Sequence, residues 1–471
     1  MRELEADYVV IGAGVMGLAF VDALLTETAA SVVLLDRRTA VGGHWREAYP
    51  FVRLHSPSSL YGVNSTPLGD DAPSADPLNA GLMGMAGRDE VVRYLDAVMR
   101  DRLLSSGRVT WLPGHDWRGD GLAVAMEDGA PIRLTARRRI IDATLTGTRT
   151  PISDGPGFDV EPGVRCIAPH DLPDAEHSAA HVVVGAGKTA IDTVLWLLQA
   201  GRGPETIRWI RPRDPWLLNR ALFQPSRDFL AEVLTAWAGE MEAAAAAVDV
   251  DDLFVRWEAV GTMRRLDPAV APGLFHCAFV SDAELERLRS VGDVVRRGRV
   301  QRIARDRIVL DQGEVPTGPD TLHIHCTASG IPRAPTRPVF QPGRINLHYV
   351  RRCAPPFSAA LIARVEATGS DDDDRNALCR PVAMVDTPRD WVAAHLQDAR
   401  ARQAWTRSPE LDAWVRDSRL DRFAALLKQA AAAPTEAEAA AVARWRAALA
   451  PGLEGLSRLL AASDLAPPPG A

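Results

Sequence analysis

Cysteine is scarce in this chain, five among 471 residues. The five, Cys166, Cys277, Cys326, Cys353 and Cys379, are widely spaced and never form a C-x-x-C pair, a usage that fits a reducing compartment. Lysine is scarcer still, with Lys188 and Lys428 alone, so the basic charge is arginine. The formal net charge of -7 gives no attraction to phosphate backbones or anionic lipid, so no nucleic-acid and no membrane partner is expected. Met1–Asp7 has more acid than base and lacks the charged and apolar regions of a signal peptide. Apolar stretches such as Val15–Leu25 are interrupted by Gly17 and Asp22 and are too short to span a bilayer, which points to a cytoplasmic protein. A G-x-S-x-G elbow and an H-E-x-x-H motif are both missing, which removes the hydrolase chemistries they serve.

Two strand, glycine turn, helix, strand units stand out. The first comprises a strand at Tyr8–Ile11, a helix to about Leu25 and a strand at Val32–Leu35. Leu18, Val21 and Leu25 recur on one helical face, the period of a segment packed on one side of a sheet. From Gly42 to Gly87 the chain is dense in proline, serine and glycine, longer than ordinary connections and expected to be functional. A helix near Arg88–Leu104 and strands near Val109 and Arg139 precede a linker-like passage, Thr150–Gly163. The second unit has a strand at His181–Val184, a turn at Gly185–Gly187, a helix with Ile191, Val194, Leu195 and Leu198 on one face, and a strand at Ile207–Ile210. From about Ala399 an alanine-, leucine- and arginine-rich composition predicts helices. The acidic run Asp371–Asp374 reads as solvated loop, and the alanine tracts near Ala243 and Ala430 read as exposed helix.

Gly12, Gly14 and Gly17 form G-x-G-x-x-G, with Val15 and Met16 inside it, where a tight turn brings backbone N–H groups against a pyrophosphate. Asp36, followed by Arg37, closes the next strand at the place where a carboxylate accepts hydrogen bonds from ribose hydroxyls. Gly42-Gly43-His44-Trp45 lets the chain pass close to a pyrophosphate and adenosine, which marks this site for flavin. The second loop, Gly185-Ala186-Gly187-Lys188-Thr189-Ala190, carries alanine at the third position, where a methyl still permits close helix packing. Opposite Asp36 the second unit has Arg211, with Arg213 two residues on. These guanidinium groups match a 2′-phosphate and favour NADPH, or else are solvated arginines. Lys188 either touches a phosphate or is solvated. Two nucleotide sites imply electron traffic between two cofactors. His323 and His325 share one face of a strand without an evident third ligand, so they read as structural and no metal is expected.

In motif order and spacing, residues 5–367 resemble the flavin-containing monooxygenase-like group, the class B flavoprotein monooxygenases. The resemblance rests on the two glycine loops, on Gly42–Trp45, and on Leu60-Tyr61-Gly62-Val63-Asn64-Ser65-Thr66-Pro67, which is similar to the group's aromatic, asparagine, proline segment. It rests also on Thr327-Ala328-Ser329-Gly330, which stands where the group has its alanine, threonine, glycine motif. Arg53–Ser58 and Trp209–Arg220 are similar to segments of a bacterial branch. The chain departs ahead of the second loop, where Val164 and Cys166 replace the group's phenylalanine and glycine and only His170 matches, followed by Asp171-Leu172-Pro173. Disulfide reductases of similar architecture place two cysteines soon after the first glycine pair; here no cysteine precedes Cys166, which excludes that relay.

The resemblance implies an α/β fold with two dinucleotide-binding Rossmann-like domains. An FAD-binding domain (1–165 and 325–398) would hold an inserted NADPH-binding domain (166–324), with a helical C-terminal region (399–471). It implies a cytoplasmic FAD- and NADPH-dependent monooxygenase in which a C4a-hydroperoxyflavin, formed from O2, oxygenates a small-molecule substrate by N- or S-oxygenation or Baeyer–Villiger insertion. An NADPH-dependent reductase without oxygen transfer and a non-catalytic flavin-binding regulator are the other classes the residues allow. Asn64 is the catalytic candidate, its amide offering donor and acceptor to the flavin edge and nicotinamide, or else satisfying loop backbone. Ser329 is expected at the FAD, and the helix opening at Pro355-Pro356 is expected to point its N-terminus at the flavin pyrimidine. The oligomeric state stays open, a homodimer being among the arrangements allowed.

Overall fold

The computed structural model describes residues 1–328, 330 and 336–464. The first strand, Arg2–Ile11, lies inside an eight-stranded sheet, with Val32–Asp36 and then Val109–Pro113 parallel on one side. On its other side Pro131–Asp142 and then Arg344–Asn346 pair in parallel, and Phe340–Gln341 closes the edge antiparallel. A second sheet of five parallel strands runs Asp293–Val295, Ile207–Ile210, Ala180–Val184, Thr321–His325, Cys166–Ile167. The chain therefore leaves the first sheet after Asp142, builds the second, and returns to the first at Phe340. In each sheet a glycine turn follows the strand from which neighbours extend in both directions, the reversal where open α/β sheets bind ligands.

The apolar period of Val15–Glu27 predicts a helix with one covered face, but the structure buries every residue from Val15 to Leu25. The helix Pro355–Glu366 packs along it, with Glu366 accepting from Tyr8 of the first strand at 2.9 Å, so Val15–Glu27 is enclosed by more than the sheet. Asp22 is buried there and accepts from Ser65 N–H at 3.0 Å, Ser65 Oγ at 2.6 Å and Arg102 Nε at 3.0 Å, which fixes the loop carrying Leu60–Pro67 to the helix.

The helical C-terminal region is as expected, although the helix Pro388–Trp405 crosses the boundary placed at residue 399. Two compositional readings are corrected. The alanine tract near Ala243 is not exposed: the helix Arg227–Ala246 packs along Glu436–Asp464, where a Cβ on Gly455 would meet the Ala244 carbonyl at 2.0 Å. Small residues on both helices permit that approach, and Ala243 and Ala244 are buried by it; in the second tract Ala430 is buried against Leu230 and Leu234, while Ala431, Ala432 and Ala433 are exposed. The acidic run is not a plain solvated loop either. Asp371 caps the helix Asp372–Leu378, and Asp372 pairs with Arg139 at 2.6 Å and Arg375 at 2.9 Å. Among the described residues no helix is long and apolar enough to cross a membrane.

Candidate functional site

Both glycine loops open into one cavity of about 1610 Å³, well above the roughly 300–1,000 Å³ typical of a single small-ligand pocket. The glycines divide into two kinds. Gly12 (φ +101°) and Gly185 (φ +130°) hold conformations that side-chain residues avoid, and a Cβ on Gly17 would sit 2.0 Å from the Gly12 carbonyl oxygen. Those three serve the turn and the helix–strand contact. Gly14 and Gly187 differ: among the described residues a Cβ on Gly14 would come no closer than 3.8 Å, to Gly43 Cα, and on Gly187 nothing lies within 4 Å. Both border the cavity, so the room left by their missing side chains opens into it. The cradles fit two pyrophosphates.

Around the first cradle, Gly12, Gly14, Val15, Met16, Asp36, Arg37, Gly43, His44 and Trp45 line the cavity, while Gly17 lies behind it. Asp36 accepts from Ala13 N–H at 2.8 Å and Arg38 N–H at 2.9 Å, one bond on each carboxylate oxygen, which leaves acceptor capacity for ribose hydroxyls. Burial, helped by the Arg38 charge, holds the His44 imidazole down at about 4, so it is neutral near pH 7. Across the first sheet Ala143 and Thr144 complete the rim, and Ala354, Pro355 and Pro356 bring the N-terminus of the Pro355–Glu366 helix to the same space.

At the second cradle Gly185, Gly187, Lys188 and Thr189 line the cavity, and Ala190 is packed beneath in the apolar core. Lys188 borders the cavity and is held within the protein. Its ammonium pairs with Asp192, one helical turn on, and donates to the Arg53 carbonyl at 3.4 Å. Tyr49 donates to the same Asp192 carboxylate at 2.7 Å, and burial, reinforced by that carboxylate, holds the phenol well above its ordinary range. The two arginines separate. Arg211 is buried, lies 4.8 Å over the Trp209 ring and pairs with Asp214 at 3.0 Å, away from the cavity, and burial pushes its guanidinium down to about 10. Arg213 borders the cavity, half exposed, 3.3 Å from Asp386. Arg299, which the sequence did not single out, joins it on the rim.

Asn64 is not brought to the cavity. Its Oδ1 accepts from Ser418 Oγ at 2.8 Å, and its loop is clamped by Arg419, which donates to the carbonyls of Ser59, Tyr61 and Thr66 at 2.7, 2.5 and 3.1 Å. The residues this loop does present are Leu60 and Tyr61, and the Tyr61 hydroxyl accepts from Trp45 Nε1 at 2.6 Å. The C-terminal helices, unseen by a local motif, turn the loop this way. We expect Asn64→Ala to cost about 1 kcal/mol, the worth of one hydrogen bond, and to leave flavin content unchanged; urea unfolding of Asn64→Ala, Ser418→Ala and the double variant would show one shared loss. A tenfold fall in the coupling of NADPH use to product would restore Asn64 as catalytic.

Ser329 lies outside the described residues, and its neighbour Thr327 donates to the Pro156 carbonyl at 3.0 Å. His170 borders the cavity, Nδ1 3.3 Å from the Ala48 carbonyl, while Val164 and Cys166 pack in the core of the second sheet. His323 is engaged by Thr317 Oγ1 at 2.9 Å and the Arg165 carbonyl at 3.0 Å.

Farther in, Phe223, Phe279, Trp237 and Phe423 form an aromatic chamber, with ring centroids 5.0 Å apart for Phe223–Phe279 and 5.1 Å for Trp237–Phe423. Glu240 borders it, its carboxyl raised from the ordinary value by burial. The expectation of five reduced cysteines is corrected: Cys277 and Cys353 form a disulfide across 76 residues and both border the cavity, while Cys166, Cys326 and Cys379 are free.

No family model matches the chain. Among solved structures it is similar to a flavin monooxygenase mutant from Stenotrophomonas maltophilia (18% identity, 79% of this chain and 100% of that one, TM-score 0.46). It is also similar to an open form of cyclohexanone monooxygenase (14% identity, 91% and 98%, TM-score 0.48) and to an oxidized steroid monooxygenase bound to NADP (14%, 92% and 99%, TM-score 0.47). Uncharacterized proteins of Mycobacterium tuberculosis and Mycobacterium bovis are 44% identical to it over 426 residues, spanning 90% of this chain and 79% of theirs. At that identity and coverage the chain belongs to the same family as these mycobacterial proteins.

Proposed function

We propose that the chain is an FAD- and NADPH-dependent oxidoreductase, a monooxygenase of a small apolar substrate, with FAD on residues 1–165 and 325–398 and NADPH on 166–324. The observation that carries this reading is the pair of glycine cradles, one at the reversal of each sheet, opening into a single cavity with an aromatic chamber beyond them. Bound FAD would supply electron transfer from the nicotinamide and the activation of O2. The chain's own part is positional. Gly14 and Gly43 let backbone N–H groups approach the FAD pyrophosphate, Asp36 takes ribose hydroxyls, and the N-terminus of the Pro355–Glu366 helix places positive potential beside the flavin. Gly187 does the same for the second pyrophosphate. Arg213 and Arg299, both reaching the cavity, take the 2′-phosphate role that Arg211 does not. Phe223, Trp237 and Phe423 exclude water and seat an apolar substrate, the last of them supplied by the C-terminal helices.

The test is direct. Purified protein should be yellow with about one FAD per chain, be reduced faster by NADPH than by NADH, and incorporate an atom of 18O2 into an apolar substrate. Arg213→Ala should lower the NADPH preference about tenfold, one charged contact's worth, while Arg211→Ala should lower stability and leave the preference alone. Equal rates with both nicotinamides would remove the 2′-phosphate assignment, and a protein that cannot be loaded with FAD would sink the whole reading.

A further inference from the structure

The sequence pattern rules out the cysteine relay that follows a first glycine pair, yet the fold assembles a different pair beside the same cavity. Cys277 lies in the strand Leu274–Val280, which pairs with Pro215–Asn219 out of even register: Trp216 faces Phe275, but Leu218 faces Phe279. The surplus residues form a bulge, and bulges re-aim side chains. Cys277 takes φ +53° there and borders the cavity. Cys353 takes φ +52° two residues before Pro355, where the helix Pro355–Glu366 begins, and also borders the cavity. Among the described residues four non-glycine positions have positive φ, Asp71, Asp120, Cys277 and Cys353. Aspartate visits this region readily; cysteine does so rarely, and side chains held in such backbone are common at functional sites. Both halves of one disulfide are held this way, and both line the cavity into which the glycine loops open.

The surroundings suit thiol chemistry. A thiolate at Cys353 would sit at the positive end of a helix that has no side-chain cap, while the flanking Arg351 and Arg352 are engaged by Asp421 and Asp398. The disulfide joins an element of the second nucleotide unit to the segment leading into a helix of the first, so cleaving it changes the covalent link between them.

We propose that Cys277–Cys353 is a redox-active disulfide, an electron acceptor inside the cavity in addition to O2. The inference rests on the FAD and NADPH reading above. In the step, a dihydroflavin is oxidised to flavin and its two electrons break the S–S bond. Its two protons leave Cys277 and Cys353 as thiols, one of which can ionise at the helix N-terminus. NADPH regenerates the dihydroflavin, so the pair adds one two-electron acceptor to each chain.

The experiment is an anaerobic titration of flavin-loaded enzyme with NADPH, followed by maleimide trapping and mass spectrometry of the peptides holding Cys277 and Cys353. Wild type should take up about two NADPH per flavin and show both cysteines labelled, whereas Cys277→Ser and Cys353→Ser should each take up about one. Two serine variants guard against one failing to fold. A wild-type endpoint at about one NADPH with the disulfide intact would overturn the proposal, as would finding both thiols free in air-equilibrated enzyme. A colourless protein would fail the flavin reading itself and is recognised from its spectrum before any titration, so the two failures are distinct.

Discussion

Gly14→Val should strip the protein of flavin and leave it folded. A Cβ at this position comes no nearer than 3.8 Å to any described protein atom, and the isopropyl group projects into the cavity where the pyrophosphate would lie. Two charge-assisted hydrogen bonds from backbone N–H groups, each on the order of 1.5–3 kcal/mol, would be lost, weakening binding at least about hundredfold. The matched control is Gly17→Val. There a Cβ would stand 2.0 Å from the Gly12 carbonyl oxygen, against backbone that cannot yield. Gly17→Val should therefore aggregate or unfold, whereas Gly14→Val should keep the circular dichroism and thermal midpoint of the flavin-free wild type while absorbing no light near 450 nm, a flavin band. Stoichiometric flavin in Gly14→Val would show that the first loop is a structural turn only.

Asp22→Ala should cost about 3 kcal/mol of stability, near the low end for breaking a buried ion pair. The carboxylate is fully enclosed and holds three donors, two from Ser65 and one from Arg102. Its loss leaves the Ser65 N–H and the Arg102 Nε without that acceptor. Arg102 retains 32% side-chain exposure and a bond to Thr26, so its charge can hydrate, which keeps the cost from rising further. The loop tethered by Ser65 also carries Tyr61, which supports Trp45 on the cavity rim, so flavin affinity should fall with stability. Urea unfolding gives the first number and flavin titration the second. Asp22→Asn, which keeps one acceptor, should recover part of both. A loss below about 1 kcal/mol would mean that the loop is held by Arg419 and Tyr94 without help from the helix.

The cradles were legible because their signals are local. A glycine turn between a strand and a helix spans few residues, and the conformations of Gly12, Gly14, Gly17, Gly185 and Gly187 follow from backbone geometry that neighbouring residues set. The same locality explains where the structure departs from the motifs. Asn64 stands in a suggestive motif, but Ser418 and Arg419, far along the chain, decide which residue of its loop meets the cavity. Arg211 occupies the expected position at the end of its strand, but Asp214 and Trp209 take its charge and its plane. The amphipathic period of the first helix shows the face against the sheet and is silent about Pro355–Glu366, which packs along it.

By itself, then, the amino-acid order determined the elements and turns: two strand, glycine turn, helix units, their dinucleotide-type loops, and a helical C-terminal region. Each depends on short-range sterics and hydrogen bonding, which a few adjacent residues settle. Tertiary structure decided which side chains share the cavity. It set Tyr61 there and Asn64 elsewhere, Arg213 and Arg299 there and Arg211 in a buried pair, and joined Cys277 to Cys353 across 76 residues. Those outcomes turn on which distant segments compete for each donor, charge and apolar surface, and that competition is resolved only when the sheets and the C-terminal helices close around one another.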